Sequence, residues 1–196
     1  MKRDMTTIKQ VRLNSLLDVA TMLLIEKPNA SMNEIADYAK IGIATLHRYV
    51  ESREQLMIYL GFRAIEVVGE TMKRISLNEE NYENYIPELI EALIPLGDKI
   101  YFLAHDASVS FNKEIDEADQ KLREPILHVI EILQQKGYFH PHIDKDWIMN
   151  VLYSLLFLTW QQVRNGNIAK NSAAALVVNT FYHGFKATAR EEESTC

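Results

Sequence analysis

In the stretch "IATLHRYVESR", residues 43–53, the side chains able to do chemistry divide between two sides of one short helical pattern. Ile43, Ala44 and His47 share a face by i, i+1, i+4 spacing, and that face is left free for the edges of bases in a duplex groove. Thr45, Tyr49 and Arg53 bring hydroxyl and guanidinium groups suited to phosphate oxygens, which fix a protein's position on a duplex without reading its sequence. Asn33, one pattern earlier, and Arg48 complete a candidate set for nucleic-acid contact.

These residues need elements to hold them. A helix from Ile43 to Val50 is marginal alone and must lean on neighbours. Ahead of it, Ser31 and Glu34 form a capping-box pattern opening a helix that carries Ile35 and Ala36 on its inner side. The turn falls at Lys40-Ile41-Gly42, and Ile35, Ile41, Leu46 and Val50 can brace the two helices. After it, Ser52 is placed as an N-cap with Gln55 at the matching box position, starting a long helix towards about Ile75. The first helix runs from Thr6 or Thr7 to Glu26, with Ile8, Val11, Leu16, Val19, Ala20, Leu23 and Leu24 at helical spacing. Two helices joined by a turn of about four residues are the helix-turn-helix pattern, whose second helix enters a major groove.

The segment "IADYAKIGIATLHRYVESREQL" resembles the signature of the tetracycline-repressor (TetR/AcrR) family of bacterial transcriptional regulators. Ile35-Ala36, Ile41, Thr45-Leu46, Tyr49, Val50, Ser52, Glu54 and Leu56 fall in its register, and the match spans about residues 8–60. Four positions depart from the pattern. Lys40 stands where the turn has Gly, and positive φ at a non-Gly residue costs roughly 1 kcal/mol. Gly42 stands where a capping side chain is common, His47 where Tyr is usual, and Arg53 where Lys is usual. The resemblance implies an all-α chain with a three-helix DNA-binding domain over 1–56. Residues 57–196 would form a helical effector-binding and dimerisation domain. It implies a ligand-responsive repressor binding a palindromic operator as a homodimer.

Beyond the motif, helical patterns run from Ile86 to about His105, near Ser110 to Ile115, and from Glu117 to Lys136 with Pro125 inside or dividing the last. Gly137 marks a stop before the loop "KGYFHPHIDKD". Two more helices follow, Trp147 to Asn165 and Asn171 to about Ala189. The first is apolar nearly all round and must be covered on more than one side. A second subunit supplies that cover in our reading, with Leu155, Leu158, Phe181 and Phe185 at the interface. Tyr101, Phe102, His105, Phe111, Ile126, Val129, Leu133 and Trp160 can line a cavity for a small hydrophobic or amphipathic effector. The same spacing also suits a plain core.

Composition narrows the remaining choices. The 196 residues carry a net charge of −6, but unevenly: residues 1–56 hold eight Lys/Arg against seven acids, and the remainder 13 against 20. The acidity therefore lies outside the motif, which permits a phosphate-facing surface there. Seven Gly and five Pro are few, favouring long helices over many turns. No apolar run reaches a membrane span and no signal-peptide core opens the chain, so a cytoplasmic protein is expected. The single cysteine, Cys196, excludes an internal disulfide. His140, His142 and Asp144 lie close together in "HPHID", yet read as exposed loop residues rather than metal ligands. With no phosphate loop, catalytic triad order or HExxH motif, neither an enzyme nor a cofactor is expected. The competing class is a helical protein-interaction adaptor that keeps the motif without binding specific DNA.

Overall fold

A computed structural model describes residues 7–75, 77, 82–101, 103 and 106–186. The described elements are helical, the sole exception being an isolated bridge between Phe139 and Lys186. No described helix is long and apolar enough to cross a membrane. The chain divides into two compact units, Met1–Glu66 with Asp98–Asp116, and Val67–Gly97 with Glu117–Cys196.

The first unit is built on α1 (Thr7–Glu26), α2 (Met32–Tyr38), α3 (Ile43–His47) and the start of α4 (Arg53–Met72). Helix α1 buries Leu13, Leu16, Leu17, Ala20 and Leu24, an i, i+3, i+4, i+7, i+11 stripe. Ile8 and Val11, expected on the apolar face, are 68% and 59% exposed. Apolar residues surround much of this helix, so periodicity alone does not select the inner face. Ile35, Ala36, Leu46 and Val50 join the same core, with Leu56, Met57 and Leu60 of α4. The segment expected as one helix from Ile86 to His105 is broken in the structure. A 3-10 turn at Ile94–Leu96, which contains Pro95, separates α5 (Tyr82–Leu93) from α6 (Gly97–Ile100). Helix α7 (Ala107–Ser110) is capped by Asp106, whose side chain accepts from the Ser108 N–H at 3.0 Å.

The second unit packs α10 (Lys170–Phe185) against α9 (Lys145–Arg164) and α5. Helix α8 (Lys113–Gln135) contributes Ile126, Val129, Ile130 and Leu133 to the buried set. Pro125 lies within α8 and does not divide it. Gly137 has φ 75°, the left-handed stop expected from its position. The loop it opens folds back, so that Phe139 is fully buried with its ring centroid 5.7 Å from Phe181 and 6.4 Å from Phe185.

Helix α5 starts at Tyr82, earlier than its sequence suggested, and carries Pro87 inside it. Proline has no N–H, so the carbonyl four residues back loses its helical donor. That carbonyl belongs to Glu83, and the Tyr182 hydroxyl of α10 donates to it at 2.9 Å. Burial, then the Glu83 charge, pushes the Tyr182 phenol well above its ordinary range. Tyr182→Phe should destabilise the chain by about 1 kcal/mol, the net worth of one such bond. Urea unfolding checks this, and an unchanged midpoint would mean that water serves the carbonyl equally well.

Candidate nucleic-acid interface

The candidate residues are set in place by a series of local devices. At the start of α2, the Glu34 N–H donates to the Ser31 hydroxyl at 3.3 Å while the Ser31 N–H donates to the Glu34 carboxylate at 2.7 Å. This is the capping box the sequence announced. Lys27 pairs with the same carboxylate. The Lys27 ammonium, followed by the Ser31 N–H and hydroxyl, holds the Glu34 carboxyl down at about 2. Because the folded value is depressed, this support is present above the ordinary carboxylate range and is lost as pH falls towards 2.

Helix α2 ends in two crossing bonds. The Lys40 N–H donates to the Asp37 carbonyl and the Ile41 N–H to the Ala36 carbonyl, both at 3.0 Å. This is a Schellman turn, which needs a left-handed residue after the cap, and Lys40 supplies it at φ 55°. The strain anticipated at Lys40 is therefore present. Gly42 then caps α3 at φ −68° with no side-chain bond.

Helix α3 is shorter than expected, five residues from Ile43 to His47. Its chain continues through a tight turn in which the Tyr49 N–H donates to the Leu46 carbonyl at 2.9 Å. Leu46 and Val50 are fully buried and fasten it from below. Ile43, Ala44, His47 and Arg48 are exposed, as is Asn33 on α2. Thr45 and Tyr49 are half-buried, turned towards α1 along a groove of about 360 Å³ that includes Leu16 and Val19.

Arg53 is engaged differently from the expectation of a phosphate contact. Its guanidinium donates to the carbonyls of Ala30 and Pro28, each at 2.6 Å, tying the α1–α2 connection to the start of α4. The Gln55 N–H donates to the Ser52 hydroxyl at 3.1 Å, as the cap pattern anticipates, while the Gln55 side chain accepts from the Glu51 N–H at 2.7 Å. Lys9 and Arg12 of α1, which the motif-based reading left out, line a cleft with Arg48 and Tyr49. Their only sequence signal is an i, i+3 cationic pair outside the motif.

Three other expectations change. Phe111, expected in a cavity, follows the end of α7 and is 88% exposed, since that one-turn helix buries none of its residues. Phe181 and Phe185, expected between subunits, are buried within the protomer around Phe139, because that loop residue occupies the face of α10 they share. Leu158 is 51% exposed and Leu155 half-buried, and Leu176 on α10, at 47% exposed, presents the apolar surface the phenylalanines do not.

Of the remaining cavity candidates, Phe102 and His105 lie outside the described residues, and Tyr101 is half-buried. Ile126, Val129 and Leu133 are buried on α8, and Trp160 is buried on α9. The Trp160 ring lies so close to Gly97 that a Cβ there would collide with it. Its indole N–H has no partner among the described residues. In the "HPHID" loop, Asp144 caps α9 by accepting from the Trp147 N–H at 2.9 Å. No cluster of His, Cys, Asp or Glu among the described residues is arranged to hold a metal.

No protein-family model matches the chain. The fold, however, superposes on the structure of the TetR-like regulator LfrR from Mycobacterium smegmatis in complex with proflavine. The TM-score is 0.73, over 90% of this chain and 98% of that one, at 18% identity. The fold is that of the TetR-like transcriptional regulators. The ketosteroid regulator KstR2 of Mycobacterium tuberculosis gives a TM-score of 0.72 over 90% of this chain and 96% of its own, at 17% identity. In sequence, the chain is 21% identical to the transcriptional repressor LfrR of Mycolicibacterium smegmatis over 156 residues, 78% of this chain and 79% of that one. It is 22% identical to the transcriptional regulator NfxB of Pseudomonas aeruginosa over 180 residues, 89% of this chain and 95% of that protein.

Two outcomes test this geometry. Lys40→Gly should stabilise the chain by up to about 1 kcal/mol, since glycine adopts the left-handed turn without strain. Loss of stability would show that the lysine side chain holds the turn by some other contact. Arg53→Ala should cost about 1.5–3 kcal/mol by removing charged donors from two carbonyls, and Arg53→Lys should recover only part of it. Both are read by urea unfolding. Equal stability of wild type and Arg53→Ala would return the guanidinium to a purely DNA-facing role.

Proposed function

We propose that this chain is a DNA-binding transcriptional regulator, acting as a homodimeric repressor on a palindromic operator and released by a small hydrophobic or amphipathic molecule. The observation carrying the reading is α3: Leu46 and Val50 are fully buried while Ile43, Ala44, His47 and Arg48 face outward. A helix-turn-helix needs that division between an anchored side and a free one to bring side chains to base edges. Residues 1–56 carry this role, and 57–196 carry dimerisation and effector binding.

Ile43, Ala44 and His47 are the base-reading candidates, with Asn33, Thr45, Arg48 and Tyr49 positioning the motif on the backbone. Two copies of α3 would enter successive major grooves roughly 34–36 Å apart. The dimer surface is the exposed part of α9 and α10, where Leu155 and Leu158 join Leu176. Three apolar side chains left in water on adjoining helices are accounted for by a second copy.

Effector binding draws its support from likeness to LfrR, whose structure holds proflavine. Within this chain, Trp160 brings a buried indole N–H with no partner among the described residues, a donor that an effector's acceptor atom would satisfy. An effector relieves repression only by binding the DNA-incompetent form more tightly.

Selection of sites from a random duplex pool tests the function. A palindromic consensus is expected, and recovery of no enriched sequence would favour an adaptor without DNA specificity. His47→Ala should relax base preference at one symmetric pair of positions. For assembly, Leu158→Glu combined with Leu176→Glu should yield a folded monomer that no longer binds the selected site. Sedimentation showing a monomeric wild type at micromolar concentration would overturn the dimer.

A further inference from the structure

Helix α1 and the end of α3 close on a cleft of about 440 Å³ lined by Ile8, Lys9, Arg12, Arg48 and Tyr49. Among the described residues, its lining holds three cations and no carboxylate. All three are exposed, and none of them pairs with an acid among the described residues, although Lys27, Arg63, Lys73, Arg123 and Lys145 all do. In a chain of net charge −6, three uncompensated cations around one concavity are a local concentration of positive potential. Arg48 comes from the turn that follows α3, whereas Lys9 and Arg12 come from a helix outside the motif.

We propose that this cleft binds a backbone phosphate of duplex DNA, with Lys9 and Arg12 of α1 and Arg48 gripping one strand beside the groove that α3 enters. The proposal rests on the DNA-binding reading and adds two cations of α1 to its backbone contacts, while the Arg53 guanidinium is engaged by the carbonyls of Pro28 and Ala30. Tyr49 reaches the cleft as well as the groove behind it, so its ring forms the wall shared by the two. Arg12 also borders both, and a guanidinium there can meet phosphate oxygens with two parallel N–H donors.

Phosphate contacts are independent of sequence, so the test needs no operator. The full chain is titrated with a mixed-sequence duplex of about 30 base pairs, long enough for two successive major grooves, over a salt series. Removing one phosphate-binding cation lowers the slope of log affinity against log salt by about 0.9, so a dimer with one cation removed per protomer should show a slope lower by about two. Arg12→Gln and Lys9→Gln are both expected to show this with an unchanged unfolding midpoint, and Arg12→Lys should largely retain the wild-type slope. Lys121→Gln, on α8, serves as the control for net charge and should leave the slope unaltered. A wild-type slope in Arg12→Gln and Lys9→Gln would overturn the cleft while leaving the DNA-binding reading intact. An equal drop in Lys121→Gln would overturn it too, by reducing the effect to overall charge. A wild type that binds no duplex at any salt would instead bring down the DNA-binding reading itself.

Discussion

The first unit depends on the burial of two side chains, Leu46 and Val50, at zero exposure beneath a helix of only five residues. Such a helix closes too few backbone bonds to offset the entropy of nucleation, and its glycine cap adds no side-chain bond. What holds it is the core below, made by the inner stripe of α1, by Ile35 and Ala36 of α2, and by Leu56, Met57 and Leu60 of α4. Fastened from one side only, α3 keeps its other side free. Ile43 can then stand 37% exposed although it is a large aliphatic residue.

The connections around that core show how the same unit keeps its strain local. The turn after α2 accepts a left-handed lysine because two crossing hydrogen bonds and the burial of Ala36 define the path. The loop between α1 and α2 has its carbonyls answered by Arg53 from the far side of the motif. The Ala30 carbonyl, on a fully buried residue, would be costly without a donor, and the same guanidinium also serves the carbonyl of exposed Pro28. The residue whose side-chain chemistry suits a phosphate is instead a brace for the scaffold presenting α3.

In the second unit, interactions between distant residues resolve local conflicts. Pro87 would leave the Glu83 carbonyl without a donor, and Tyr182 supplies one from 99 residues away along the chain. Gly97 leaves room for the Trp160 ring where any side chain would collide with it. Phe139, from a loop that reads as polar and turn-like, fills the space between Phe181 and Phe185. This packing draws both α10 phenylalanines inward and leaves the apolar surface of α9 and α10 to Leu158 and Leu176.

The caps around the motif, its turn and the stop after α8 were legible in the sequence by itself. The Ser31–Glu34 box, the Ser52 cap, the strained Lys40 and the stop at Gly137 each depend on partners within a few residues, so local order determines them. Only the tertiary structure decided which face of each apolar helix turns inward, since that depends on what arrives from elsewhere in the chain. It left Ile8 and Val11 in water, buried Phe181 and Phe185, and exposed Phe111. It directed Arg53 to two backbone carbonyls, and brought Lys9 and Arg12 to the same cleft as Arg48. Periodicity sets the faces of a helix, but which face is buried is settled between residues far apart in the chain, where spacing carries no information.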